Sequence, residues 1–570
     1  MTAPETDEWS LAAVFDVVAA AAPERDMVVW TSTRRTYGEV AQRTRGLARF
    51  LGTHGVGIRR ERAELERWEC GQDRVALLLH NCPEYLEAML GSYRARAAPF
   101  NVNQHYRSAE ISGLFDMVGL QAVVYHRSLG PLLREALAGR TVLLVDVDDG
   151  SGTAPLDGST GFEAAVAAGS GSGPGPGSGD DLPTPSPDDL YLVCTGGTTG
   201  SPKAVLWRQA DIFVSGMGGS DVATADSLAA TASAGAGTWF AAPPLMHAAA
   251  QWTAFGGLLS GATIVLHDDA RPFDARTILA TAARERVRLM SIVGDAYARP
   301  IVEELRRATY DLGSLQVLAT GGAATNEQHK LALLEQLPDV TIVDGYGASE
   351  TGGMAFASRR MPDSTRAPAF GARTRATKPT GFAPAVGAEV LSADRTRFLT
   401  PGEDEIGWTA RCGRVPLGYL DDREKTEATF PVVDGRRVSV PGDRARLLPD
   451  GAIVMLGRDS MVVNTGGEKV FVEEVEEVLR RHPDIVDALV VGRPSERFGE
   501  EVVAVVQLRD GASLLPADVR EVVAGSLARF KAPRAVTVCD RVVRHANGKA
   551  DYGWAKSVAA EAVDAVTKVG

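Results

Sequence analysis

Short apolar runs alternate with amphipathic stretches along this chain, and that alternation predicts its architecture before any single residue is weighed. RVALLLH (Arg74–His80) reads as a strand, and the stretch from Pro83 to Arg94 behind it as an amphipathic helix. TVLLVDV at 141–147 and the β-prone run YLVCT at 191–195 repeat the strand signal. Such strand-turn-helix passages favour α/β layering in a large, multi-layered N-terminal domain. From Ser227 to Leu266 the chain has no Asp, Glu, Lys or Arg. Pro243, Pro244, His247 and Gln251 interrupt this run, and Gly256, Gly257 and Gly261 divide it, so it reads as a strand, a helix and a strand forming a buried pocket wall rather than a membrane span. After Pro441, GDRARLLPDGAIVMLGRDS predicts two short strands about an Asp-Gly turn, and VEEVEEVLRRH a helix. A smaller α+β domain, residues 458–570, is expected to follow a large domain of residues 1–457. Ala168–Asp189, rich in Gly, Ser and Pro, reads as a flexible surface connection, and residues 58–69 as an exposed helical turn or two. Near the end, DYGWAKSVAAEAVDAV predicts a helix after an Asn-Gly turn, Asn547-Gly548, that projects Lys549 on a loop.

Size and composition narrow the class. A chain of 570 residues is too long for one ordinary core, and 45% hydrophobic with 23% charged residues is the mixture of a globular enzyme. The net charge of -13 opposes nonspecific attraction to nucleic acid, so no nucleic-acid partner is expected. Five scattered cysteines form neither a metal-ligand spacing nor a closed disulfide framework, which points to a reducing cytoplasm. The acidic beginning, MTAPETDEWSLAAVFDVV, lacks the basic segment of a signal peptide. No transmembrane segment is expected, while peripheral membrane contact stays open.

The densest chemical signal is YLVCTGGTTGSPKAVLW (Tyr191–Trp207). Small residues such as Gly197 and Gly200 let backbone N–H groups approach phosphate oxygens; Thr195, Thr198, Thr199 and Ser201 add hydroxyl donors, and Lys203 adds positive charge. The loop can therefore bind a polyphosphate, although it lacks the GK[ST] ending of a Walker loop. In isolation it could also be a flexible Gly-Thr turn. A second segment, DGYGASETGG (Asp344–Gly353), puts an aromatic ring, a hydroxyl and a carboxylate within a few residues. Tyr346 can stack on adenine, Ser349 can donate to a phosphate, and Glu350 can hold magnesium through its hard oxygens. The alternative for this segment is a solvated Gly-rich turn.

TGGTTGSPKA resembles the signature loop of the adenylate-forming superfamily, which includes acyl-CoA synthetases, luciferases and peptide-synthetase adenylation domains. Gly196 stands where Ser is usual, and Ala204 where Gly is common. DGYGASETGG is similar to the YGxTE motif, with Ser349 in the Thr position. The likeness runs from about Arg74 to Lys556. It implies that Asp344, Gly345, Gly347, Thr198 and the loop residues serve ATP, with Thr198 and Glu350 toward magnesium. In LATGGAATNE it places Gly321, Gly322 and Ala323 beside adenine and the acyl carbonyl. It implies that Asp443 binds the ribose hydroxyls, that Arg458 contacts ribose or phosphate, and that Lys549 is the catalytic lysine of a mobile C-terminal lid hinged at Ser460. Gly466 and Gly467 would give room to the pantetheine arm of coenzyme A. His247 matches a position that gates the acyl pocket or positions the thiol, and a core histidine is the other reading. Trp252, Phe255 and Gly256 would line an acyl tunnel or simply pack a core. The stretches TGGTTGSPKAVLWRQ, HNCPEYLEAMLGSYRARAAPFNVN and NTGGEKVFVEEVEE look most like bacterial acyl-CoA synthetases of fatty or steroid-derived acids. The resemblance thus implies a cytoplasmic, ATP-, Mg2+- and CoA-using ligase of a small-molecule carboxylic acid, monomer or homodimer. An adenylating enzyme with a carrier-protein or other acceptor stays open. A non-catalytic scaffold is the reading that Lys549, Glu350 and Asp443 together oppose.

Overall fold

The computed structural model describes residues 8–170, 182–195, 202–361, 381–458, 461–465, 468–495, 498–545, 548–560 and 562–564. Among these residues two sheets are built on parallel strands. The larger has nine strands. Its middle six, from Thr341–Ala348 through Val317–Gly321, Leu289–Ile292, Thr238–Ala241 and Thr263–Leu266 to Asp26–Trp30, are all parallel. Antiparallel strands close both edges. A second sheet of five strands, centred on Arg74–Leu78 and Ala122–His126, is parallel throughout. Parallel strands need helical crossovers and burial on both faces, which explains their near-continuous Val, Leu and Ile content. In such sheets ligands gather outside the carboxyl ends of the strands, and the LATGG and DGYGAS motifs lie there.

The uncharged run supplies one such crossover. Strand Thr238–Ala241, helix Ala248–Leu258 and strand Thr263–Leu266 follow in order, and the two strands pair in parallel. At 11 residues the helix is about 16 Å long, half a bilayer core. Among the described residues no helix is long and apolar enough to cross a membrane. Pro83–Arg94 is helical with Pro83 in the first turn, where a missing N–H costs nothing.

Two antiparallel sheets and a mixed one complete the chain. The hairpin of Leu190–Thr195 and Lys203–Arg208 takes Gly418–Tyr419 as a third strand. A six-stranded sheet contains Asp443–Leu447 paired with Ile453–Arg458. The last sheet begins at Val462 and carries helices Val472–Arg480, Pro516–Ala524 and Tyr552–Ala559 around a core that includes Val470, Val475, Leu479, Val490, Val502 and Val536. The chain therefore changes sheets between Arg458 and Val462. Arg458, expected in the small domain, instead closes a strand of the preceding sheet because its register partner is Asp443.

Two other expectations need correction. Ala168–Ser170, read as linker, ends the helix Phe162–Ser170. A Cβ on Gly169 would collide with the Gly46 carbonyl, and one on Gly46 with the Val166 carbonyl, so these glycines let that helix lie against Tyr37–Thr53. Residues 171–181 of that connection lie outside the described residues. The final helix stops at Ala559, ahead of a short strand, Val563–Asp564. The helical turn expected in residues 58–69 is present as one 3-10 turn, Arg62–Glu64.

Candidate active site

The phosphate-loop motif is carried by an antiparallel hairpin whose mouth is the Thr195–Lys203 pair. Gly197, Thr198, Thr199 and Gly200, together with the metal role given to Thr198, lie outside the described residues, as do Ser460, Gly466 and Gly467. Lys203 lies with its ammonium 5.0 Å from the centre of the Tyr419 ring. The Tyr419 hydroxyl donates to Glu350 Oε1 at 2.8 Å. A lysine at the loop mouth, an aromatic face and a carboxylate thus form one contiguous row. The backbone carrying Glu350 is tied at two points: Trp207 Nε1 donates to the Ser349 carbonyl at 2.8 Å, and Ser439 Oγ to the Glu350 carbonyl at 2.6 Å.

Beside this row, the Tyr346 hydroxyl donates to Asp443 Oδ2 at 2.6 Å, and Arg458 Nε approaches Asp443 Oδ1 at 3.4 Å. Burial, with the Asp443 carboxylate alongside, holds the Tyr346 hydroxyl well above the ordinary tyrosine range, so it stays a proton donor. Asp443 is 6% exposed and retains lone pairs for further donors. With Asp443 in the ribose-binding role that the resemblance implies, Tyr346→Phe is expected to raise the KM for ATP about tenfold, with a smaller change in kcat, because a hydrogen bond to a charged acceptor is lost. ATP–pyrophosphate exchange measures both constants.

Gly321 and Gly345 are register partners, and a Cβ on Gly321 would stand 2.9 Å from the Gly345 carbonyl oxygen. Small size here is first a requirement of two strands meeting at the cleft edge. Gly322, Ala323 and Gly347 line the same cleft. Asp344 lines it too, but its carboxylate is ion-paired to Lys330, which also reaches Glu327 at 3.0 Å. Asp344 acts here as the anchor of a charged cluster.

Lys549 reaches the cleft from the small domain. His545 N–H donates to the Lys549 carbonyl at 2.9 Å, forming a tight turn, and Arg544 holds Asp487 through two hydrogen bonds of 2.8 Å. The turn lies against the large domain, since a Cβ on Gly548 would stand 3.2 Å from that of Ala296. The lysine is open to cleft water yet enclosed by protein. That enclosure, and then the positive charge of Arg458, pull its pKa below the ordinary lysine value, opposed by Glu350 and Asp443. One cation from the small domain and three charged groups of the large one share a single field.

His247 precedes the helix Ala248–Leu258. Burial, then Lys549 and His105, push its pKa down to about 4, so the imidazole is neutral at pH 7, and its buried Nε2 has no hydrogen-bond partner. Trp252 and Gly256, one turn apart, line the cleft with Trp239 and Met217. Phe255 does not: it is 0% exposed and packs in the large core with its ring centroid 6.3 Å from that of Tyr93. The cleft is ≈ 2950 Å³. Common ligand pockets occupy about 300–1,000 Å³, so this one has room for a nucleotide, an acyl group and a second substrate together.

Sequence reasoning missed Tyr419, Trp207 and Ser439. Tyr419 lies in GYLDDREKTEATF, a run that solvated charge alone could explain. Its signal is long-range: Tyr419 pairs with Val205, two residues after Lys203, across the hairpin sheet.

No group of three or more His, Cys, Asp or Glu able to hold a metal occurs among the described residues. A magnesium ion characteristically uses one or two carboxylates and completes its shell with substrate phosphates and water. Glu350, a single carboxylate beside the phosphate-loop mouth, fits an ion that arrives with a nucleotide.

This fold and cleft define an AMP-binding enzyme. The AMP-binding enzyme family model matches residues 15–404, and that of the AMP-binding enzyme C-terminal domain matches residues 474–549; the chain belongs to this family. Among its relatives, the medium-chain acyl-CoA ligase Mig of Mycobacterium avium is 42% identical over 97% of this chain and 99% of its own length. The 3-oxocholest-4-en-26-oate–CoA ligase of Rhodococcus rhodochrous is 34% identical over 94% and 93%. Of solved structures, ATP-bound MatB from Rhodopseudomonas palustris aligns with TM-score 0.74 at 21% identity, covering 95% of this chain and 98% of that one. A benzoate CoA ligase from Burkholderia xenovorans LB400 aligns with TM-score 0.74 at 20% identity, covering 96% and 100%.

Proposed function

We propose that this chain is an ATP-dependent acyl-CoA ligase of medium- to long-chain fatty acids or steroid-derived carboxylic acids. The observation that carries the reading is that Lys549 of the small domain enters the cleft already holding Glu350, Asp443 and Arg458. In the first half-reaction a carboxylate oxygen attacks the α-phosphorus of ATP, and the bond to pyrophosphate breaks, giving acyl-AMP. Two anions must meet, so the residues' work is to offset repulsion and fix alignment. Lys549 supplies positive charge at the reacting phosphate. Asp443 holds the ribose, Tyr346 fixes that carboxylate, and Lys203 faces the departing pyrophosphate. Magnesium, when bound through Glu350, supplies further charge neutralisation at the phosphates. The carboxylate is already a nucleophile at pH 7, so no Ser-His-Asp triad is called for. In the second half-reaction the thiol of CoA attacks the acyl carbonyl and AMP leaves. The neutral His247 imidazole can orient the thiol there without adding charge.

The acid class is supported by the names of the Mycobacterium avium and Rhodococcus rhodochrous relatives and by the uncharged wall around Trp239, Trp252 and Gly256. A Cβ on Gly256 would stand 3.3 Å from the Met217 carbonyl oxygen and 3.6 Å from the Trp239 ring. Gly256→Leu should therefore lower kcat/KM for a long or ring-bearing acid roughly 10–100-fold relative to a short one. A reducing cytoplasm fits the five free cysteines.

The deciding experiment is AMP release with and without CoA across linear acids of increasing length and a steroid side-chain acid. Acid-dependent release that needs CoA for turnover supports the ligase. Full turnover without CoA, or none with any acid, rejects it.

A further inference from the structure

Helix Val472–Arg480 carries four glutamates, and three are well served, Glu477 by an ion pair with Arg481. Glu474 accepts two bonds of 2.7 Å from Lys531, while Glu476 accepts from the Val490 N–H at 2.9 Å and from Arg480 at 3.3 Å. Glu473 is different. Among the described residues no cation pairs with it, its Oε2 is buried without a hydrogen-bond partner, and its Oε1 lies 3.4 Å from the Arg458 N–H. The carboxylate presses on the end of the large domain's strand Ile453–Arg458. A Cβ on Gly457, which has φ +102°, would overlap Oε2, so the glycine leaves the notch that the carboxylate fills. The small domain thus rests one acidic side chain on the backbone of the residue that ion-pairs with Asp443.

We propose that Glu473 is a positioning residue for adenylation: seated on the Gly457–Arg458 backbone, it holds the small domain in the pose that carries Lys549 into the cleft. This rests on the ligase reading, in which Lys549 acts in the first half-reaction and withdraws for the second. The seat also binds a proton. The groups facing Glu473 are Glu476 on its own helix, Asp443 and Arg458 on the large domain's sheet, and Tyr552 from the last helix. Burial, and then the Glu476 charge, push its carboxyl up to about 8 in this pose. A pose in which the side chain meets water returns it toward 4.5. A group raised in one pose favours that pose fully below the lower value and loses this contribution progressively up to the higher one. The seated pose therefore weakens as pH rises from about 4.5 to about 8 and changes no further above that.

The test separates the half-reactions. Glu473→Ala should lower kcat of acid-dependent ATP–pyrophosphate exchange about tenfold, with the KM for ATP and the thioester step from supplied acyl-AMP each within about twofold. Glu473→Gln, neutral at every pH and similar in shape, should keep exchange activity. The ratio of wild-type to E473Q exchange should fall several-fold from about pH 6 to about pH 8 and then level off. Hydrogen exchange of residues 453–458 in the substrate-free full chain, corrected for intrinsic rate, should rise several-fold in E473A and not in E473Q. Equal losses in both half-reactions, a pH-independent ratio, or unchanged protection of 453–458 in E473A each overturn the proposal. If the wild type adenylates no acid while the protection changes appear, the seat stands and the ligase reading fails.

Discussion

Lys549→Ala is expected to lower the rate of acyl-adenylate formation by about 10²–10³-fold, equivalent to about 3–4 kcal/mol of transition-state stabilisation. Thioester formation from supplied acyl-AMP should change by less than about threefold, since that step needs no cation at the attacked phosphorus. The size of the loss follows from the setting. The lysine stands in the cleft beside Glu350, Asp443 and Arg458, where a bound nucleotide would displace water and leave its charge less screened. The turn that carries it is held by backbone bonds and by Arg544 on Asp487, none of which uses the ammonium, so the alanine variant should fold normally. Burst measurements of acyl-AMP, with CoA added in a second arm, give both rates. Comparable losses in the two arms would remove Lys549 from the role given to it.

Glu350→Gln should lower adenylation about 10²-fold and raise the magnesium concentration needed for half-maximal rate. The amide has the shape of the carboxylate and can still accept the Tyr419 hydroxyl through its oxygen, while the clamps from Ser439 and Trp207 engage backbone carbonyls. What is removed is a charge, with little change in structure, so the thermal midpoint should move by no more than about 2 °C. A magnesium titration of exchange activity in both proteins is decisive: identical curves would mean that Glu350 does not serve the ion.

The parts of the fold legible in the sequence are those written in local signals. Pro83 marked a helix start, the prolines and glycines of residues 227–266 divided a strand-helix-strand unit, and Asp450-Gly451 marked a hairpin. The motifs around Lys203, Glu350, Asp443 and Lys549 could be named because each is compact. What could not be read was how they are joined. The Trp207–Ser349 bond spans 142 positions and the Tyr419–Glu350 bond 69, and nothing in the spacing of those residues announces a partner. Phe255 fails for another reason. The helix Ala248–Leu258 is uncharged around its whole circumference, so periodicity cannot separate the side facing the channel from the side facing the core. The linker at Ala168–Ser170 was misread because glycine serves two ends, chain freedom and close helix contact, and the second needs Gly46 to be seen.

The indole bond from Trp207 to Ser349 has a thermodynamic consequence. It fastens the strand leading away from Lys203 to the segment that presents Glu350, and Tyr419 touches both Lys203 and Glu350. The spacing between cation and carboxylate is thereby preorganised in the absence of any nucleotide. The rotational entropy of those side chains is surrendered once, when the chain folds, and not again at each encounter with ATP, so more of the intrinsic attraction between protein and triphosphate survives as affinity.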